Sequence, residues 1–219
     1  MIAAFIFDWD GVVVNSSELH KNSWEALANE LHLTLPQDHF QRGFGKRNET
    51  IIPEILNWTK EKNLIDKWGK RKEEIYREMG KSGGIYLQSG VINFLEQAKK
   101  YGIPCSVGTS TEKKNVLLAM EQHRIEDFFK LIVASEDVIE GKPNPEVFQK
   151  ASYRLGHQPA SCLVFEDSPH GIEAAKRGGM RSVALTTSHP AETFQQLKPD
   201  VIAATFDELR MDNLLALFQ

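Results

Sequence analysis

The chain alternates two hydrophobic patterns, and that alternation restricts it to a small group of folds. Five short runs are apolar almost throughout: residues 3–7 (AAFIF), 104–108 (PCSVG), 131–135 (LIVAS), 162–165 (CLVF) and 182–186 (SVALT). A strand with one wet face alternates polar and apolar residues, whereas an unbroken apolar run needs cover on both faces, as in a parallel sheet. Between the runs lie amphipathic helical patterns at 91–102, 113–123, 145–156 and 169–179. Gly102 stops the first, while Pro145 opens and Gly156 closes the third, as helix starts and stops require. Strand and helix in turn predict a doubly wound, Rossmann-like α/β domain.

One segment interrupts the alternation. From Asn15 to Gly84 the periodicity is helical only, in residues 17–32, 49–58 and 60–80. This predicts an α/β core built from residues 1–14 and 85–219, with an inserted helical cap over 15–84. Lys81, Ser82, Gly83 and Gly84 read as a flexible return linker. The run KWGKRKEEIYRE (67–78) mixes both charge signs and reads as a solvated helix surface.

Composition excludes several classes. With 26 Lys and Arg against 30 Asp and Glu, the net charge is −4, the wrong sign for a nucleic-acid binder. No stretch approaches the roughly 20 apolar residues of a membrane span, and MIAAFIFDWDG lacks the basic start of a signal peptide. Cys105 and Cys162 sit inside apolar runs and read as buried thiols of a reducing compartment, so a cytoplasmic protein is expected.

Ligands of open α/β sheets bind beyond the carboxyl ends of the strands. What leaves those ends is chemically coherent: Asp8, Asp10 and Gly11 after the first run, Thr109, Ser110 and Thr111 after the second, Glu136 and Asp137 and then Lys142 after the third, Glu166, Asp167 and Ser168 after the fourth. Crowded carboxylates need a cation, and oxygen ligands without a His or Cys cluster favour Mg2+. Phosphoryl transfer uses this set: Asp8 as nucleophile, Asp10 as acid and base, Thr109 and Lys142 on the transferring group, and acidic residues on the metal. Asp8, Asp10, Glu166 and Asp167 are the candidate metal ligands, and Ser110 is a candidate substrate contact.

In these motifs the chain resembles the haloacid dehalogenase superfamily. FDWDGVVVNS is similar to its first motif, VGTST to its second, Lys142 in GKPNPE to its third and FEDSPHG to its fourth. The helical insertion falls where members with a type 1 cap carry theirs. The resemblance implies a Mg2+-dependent phosphatase acting on a small phosphorylated metabolite through an aspartyl-phosphate, with a β-phosphoglucomutase-like activity as the alternative. It also implies a catalytic place for His20 at the cap entry and a substrate-specificity loop in GFGKRNET. The arginine that grips a second phosphate in the mutase is replaced there by Asn48, with Arg47 one residue away as candidate substrate contact. Glu112 likewise stands where the mutase carries a cation.

Two readings of another class are weaker. A phosphorelay receiver domain phosphorylates an aspartate after its third strand and has no cap; here Asp8 follows the first. A catalytically inactive binding protein would gain nothing from crowded carboxylates. Dehalogenases and phosphonatases within the superfamily lack the second aspartate, which Asp10 supplies.

Overall fold

The computed structural model describes residues 2–219. Six parallel strands form the sheet: β1 (Ala4–Phe7), β4 (Cys105–Gly108), β5 (Phe129–Val133), β6 (Cys162–Glu166), β7 (Arg181–Leu185) and β8 (Val201–Ala203), in the order β5-β4-β1-β6-β7-β8. The apolar runs form strands because both faces are covered, and successive side chains go to opposite sides. Phe5 and Phe7 of β1 join Leu163 and Phe165 of β6 in one core, whereas Ala4 and Ile6 join Cys162 and Val164 in the other. Cys105 lies in the first core and Cys162 in the second; both are free thiols on opposite faces of the sheet. Strand order reverses beside β1, so the crevice beyond the ends of β1 and β6 is where such a sheet holds ligands.

The expected strand at 131–135 begins two residues earlier, and β8, in the apolar run at 201–204, is a sixth strand beyond the five expected. Two short strands, β2 (Val14–Asn15) and β3 (Tyr86–Leu87), pair antiparallel where the chain leaves and rejoins the sheet. Between them the described elements are helical: α1 (Ser17–Leu31), α2 (His39–Gly43), α3 (Asn48–Thr50) running into a π-helical turn at Ile51–Ile55, and α4 (Lys62–Gly83). Trp24 and Leu27 of α1 pack with Ile51, Ile52, Ile55 and Ile75 in a core separate from those of the sheet. The expected linker at 81–84 is corrected: Lys81, Ser82 and Gly83 continue α4, and the Ser82 hydroxyl donates to the Glu78 and Met79 carbonyls at 3.2 and 3.0 Å.

The remaining helices are α5 (Val91–Lys100), α6 (Lys113–His123), α7 (Glu146–Arg154), α8 (Pro169–Arg177), α9 (Glu192–Gln195) and α10 (Met211–Ala216). Ser168 caps α8, its hydroxyl accepting from the Gly171 amide at 3.1 Å, which fixes the chain direction just after the acidic end of β6. Among the described residues no helix is long and apolar enough to cross a membrane.

Candidate active site

Asp8 leaves β1 with its amide still in the ladder, donating to the Phe165 carbonyl at 2.9 Å. Its carboxylate is 4% exposed and lies 2.8 Å from the Lys142 ammonium. Lys142, also buried, donates to Glu166 Oε1 at 2.5 Å. One oxygen each from Asp8, Glu166 and Asp167 falls within 4.8 Å of the others, and all three residues are buried. Burial pushes Asp8 up to about 7, aided by Glu166 and Asp10 and opposed by Lys142. Burial, Glu166 and Asp8 likewise raise Asp167 well above the carboxylate range. Carboxylates that one lysine cannot neutralise fit a hard divalent cation.

Within that group the oxygens are unequally engaged. Glu166 Oε2 accepts from the Asp167 and Ser168 amides, both at 2.9 Å, and from the Ser168 hydroxyl at 3.0 Å, while Oε1 takes Lys142. Asp167 has one oxygen on the Ser188 hydroxyl. Two glycines make room. A Cβ on Gly171 would lie 1.8 Å from the Glu166 carboxyl, and one on Gly11 would lie 1.8 Å from Asp167 Oδ2. Gly11 also adopts φ +78°, a conformation that favours glycine.

Asp10 is not brought to this group. Its Oδ1 accepts from the Ser16 hydroxyl at 2.6 Å and sits 2.9 Å from His20 Nε2, and its Oδ2 accepts from the Thr111 hydroxyl. Burial favours the neutral acid, but the pull of His20 and the hydrogen bonds from His20, Ser16 and Thr111 outweigh it and hold Asp10 well below the usual range. His20 Nδ1 lies 2.6 Å from the Lys72 ammonium. A lysine can only donate, so Nδ1 accepts and Nε2 carries the proton toward Asp10. Two aspartates two residues apart thus face opposite environments, Asp8 leaning to the neutral form and Asp10 to the ionised one, so a cation beside Asp8 has to favour its ionised form before it can attack.

Thr109 follows β4 and is 2% exposed, its amide donating to the Val133 carbonyl at 2.9 Å and its hydroxyl accepting from the Thr111 amide at 3.2 Å. Thr109, Ser110, Asp8, Asp10 and His20 all line one cleft between the sheet end and the helical segment, with about 740 Å³ of empty space including its mouth. Arg47 is not part of that lining. It turns to the loop that carries Lys142, donating to the Ile139 carbonyl at 3.0 Å and packing on Gly141, and it also donates to Glu49 at 3.2 Å. Its neighbours Lys46 and Asn48 line the cleft instead. Glu136 accepts from the Lys113 amide at the start of α6, and Asp137 pairs with Arg154 at 3.0 Å, so neither joins the acids.

The solvated reading of residues 67–78 is corrected at two positions. Lys72 is 2% and Glu73 5% exposed, and both line the cleft. The sequence held a signal for this: Lys72 stands four residues after Trp68 and four before Tyr76, in register with an apolar stripe. Asn115 of α6, which donates to Glu73 at 2.6 Å, carries no such signal.

Residues 5–185 match the family model described as haloacid dehalogenase-like hydrolase. The chain is 34% identical over 212 residues to the chloroplastic 5-amino-6-(5-phospho-D-ribitylamino)uracil phosphatase of Arabidopsis thaliana, covering 95% of this chain and 56% of that protein. It is 27% identical to validoxylamine A 7'-phosphate phosphatase of Streptomyces hygroscopicus subsp. limoneus, over 98% of this chain and 99% of that one. A crystal structure of a HAD hydrolase, family IA, variant 3, from Entamoeba histolytica HM-1:IMSS superposes with TM-score 0.89 at 29% identity, over 99% of both chains.

Proposed function

The chain belongs to the haloacid dehalogenase-like hydrolases, and on that premise we propose that it is a Mg2+-dependent phosphatase of a small phosphorylated metabolite. The observation that carries this is the split of the aspartate pair, with Asp8 between Lys142 and the acidic group and Asp10 held separately by Ser16, His20 and Thr111. The helical segment over residues 15–84 acts as the cap and residues 1–14 and 85–219 as the catalytic core. The printed activities of the relatives, both phosphate-ester hydrolyses on small molecules, support the substrate class. The two free, buried thiols support a reducing compartment such as the cytoplasm.

Asp8 and Asp167 would hold the magnesium ion, with Glu166 adding charge behind them while it orients Lys142. Such an ion neutralises anionic charge on the transferring phosphoryl group. An Asp8 oxygen attacks phosphorus as the bond to the leaving oxygen breaks, and that oxygen takes its proton by way of Asp10, which must first be protonated because Ser16, His20 and Thr111 hold it ionised. Water then attacks the aspartyl-phosphate, Asp10 takes the water's proton, and the bond to Asp8 breaks. Lys142 and the Thr109 and Ser110 loop hold the transferring oxygens, which lowers the barrier by fixed charge and donors.

The mutase alternative needs a cationic site for a second phosphate. Asn48 donates to Glu73 at 2.8 Å, and Glu112 is paired with Arg77 at 3.0 Å, so neither of these residues supplies the cation, and Lys46 of the cap loop is left as the cleft residue that could. Phosphate release from a panel of sugar, polyol and glycolate phosphates, with magnesium and with chelator, tests the reading. Turnover in excess chelator would refute the metal. Efficient glucose 6-phosphate formation from β-glucose 1-phosphate and a bisphosphate primer, with little free phosphate, would make the mutase the answer.

A further inference from the structure

Helix α4 places a carboxylate in the part of the cleft that faces the catalytic aspartates from the cap. Glu73 lines the cleft together with Asp8 and Asp10, and it reaches the core helix α6 through Asn115. Its Oε1 accepts from Asn48 at 2.8 Å and from Lys72 at 3.0 Å, and its Oε2 accepts from Asn115 at 2.6 Å. An ionised carboxylate has about four acceptor sites, so roughly one remains for a ligand. Lys72 is shared with His20 and is not free to grip an anion. Lys72, His20 and the hydrogen bond from Asn48 outweigh burial and keep Glu73 ionised below its usual range.

A second acceptor stands in the same cleft. His39 Nδ1 donates to the Pro36 carbonyl at 2.8 Å, so on the neutral ring Nε2 carries a lone pair. That atom is buried without a hydrogen-bond partner among the described residues, although His39 is 8% exposed and lines the cleft. Buried acceptors in native proteins are satisfied, and one left unpartnered in a residue that lines the cleft points to a donor arriving with the ligand. Phe40 and Phe44, with ring centroids 5.1 Å apart, supply apolar surface beside it. Glu112 lines the cleft from the core side.

Resting on the phosphatase reading, we propose that Glu73 and His39 set specificity, selecting phosphate monoesters whose leaving group ends in a neutral, flat or apolar unit bearing N–H or O–H donors, and rejecting a second phosphate. A donor-bearing end completes Glu73 and His39 Nε2 and lies against the phenylalanines. A second phosphate brings a dianion toward Glu73 and Glu112 at low dielectric, where like charges repel, and this repulsion has to outweigh the attraction of Lys46 in the same lining.

The test measures kcat/KM for phosphate release, with magnesium, from an aminopyrimidine-bearing ribityl 5-phosphate, ribitol 5-phosphate and fructose 1,6-bisphosphate. The wild type is expected to prefer the aminopyrimidine ester to the bisphosphate by at least about tenfold, a comparison that needs no variant. Glu73→Gln should narrow that preference by about tenfold, and Asn48→Arg, which brings a cation beside Glu73, should narrow it by the same route. His39→Phe should raise KM for the aminopyrimidine ester alone. Equal or faster turnover of the bisphosphate by the wild type overturns the proposal, as does an unchanged ratio in both Glu73→Gln and Asn48→Arg. Phosphate from none of these esters overturns the specificity proposal, and only silence across the wider panel of sugar, polyol and glycolate phosphates overturns the phosphatase reading beneath it.

Discussion

Replacing Gly171 by alanine should destabilise the protein, although the same exchange within a helix is ordinarily favourable by about 0.5–1 kcal/mol. Gly171 lies in the first turn of α8, and its missing side chain is where the Glu166 carboxyl sits, 1.8 Å from the position a Cβ would take. Backbone on both sides is pinned, so Glu166 must leave. It is fully buried and holds four interactions, from Lys142, the Asp167 and Ser168 amides and the Ser168 hydroxyl. Breaking a buried ion pair by displacing one partner costs about 3–5 kcal/mol. Set against the helix gain, the net loss is about 2–4 kcal/mol, a fall in Tm of roughly 5–15 °C for a chain of this length. Catalysis should fall too, because Lys142 loses the partner that holds it 2.8 Å from Asp8. Thermal melts and phosphate-release rates on the same preparation measure both. Gly83→Ala serves as control: a Cβ there meets nothing within 4 Å, so that variant should be neutral or slightly more stable. A Gly171→Ala protein with unchanged Tm and turnover would falsify the close packing of α8 on Glu166.

Three further outcomes follow from the site. Asp8→Asn should abolish turnover, whereas Asp10→Asn should slow it by roughly 10²–10⁴-fold, the usual worth of acid–base help; single-turnover phosphate release separates them, and normal rates in Asp10→Asn on a poor leaving group remove it from that role. Asp8 is raised from 3.8 to about 7 and Asp167 is raised as well, so between these limits the folded state binds more protons than the unfolded one and stability drops as pH rises. Without divalent cation, Tm should therefore fall from pH 5 to pH 7.5 by this contribution, and magnesium should flatten the fall; a pH trend indifferent to magnesium contradicts the acidic group as its site. Arg47→Ala removes the bond to the Ile139 carbonyl that ties the cap loop to the loop carrying Lys142, and should raise KM a few-fold, on the order of one hydrogen bond, with Tm nearly unchanged; an unaltered KM excludes that tie from substrate capture.

Local hydrophobic patterning specifies the sheet and the polar groups at its edge. Runs such as 3–7 and 162–165 are apolar on both faces, so they belong in the middle of a parallel sheet, and in such a sheet Asp8, Thr109 and Asp167 must emerge at one end. Local patterning is enough for this because strand burial is written residue by residue. β8 escaped it because only three residues pair there, at the sheet's edge.

Which polar groups share an environment is set by packing between segments distant in the chain. Asp8 and Asp10 are two residues apart and look alike in sequence, yet one meets Lys142 and the other Ser16, His20 and Thr111. Mixed charge in residues 67–78 suggested solvent, but packing of α4 against α1 carries Lys72 onto Trp24 and His20. Arg47 and Asn48 are neighbours in the chain and face opposite ways, one to the Lys142 loop and the other to Glu73. Apart from the bonds of Asp10 to Ser16 and His20, these assignments depend on contacts spanning 25 or more residues, where side-chain direction is set by helix packing and loop closure, and no local pattern encodes either.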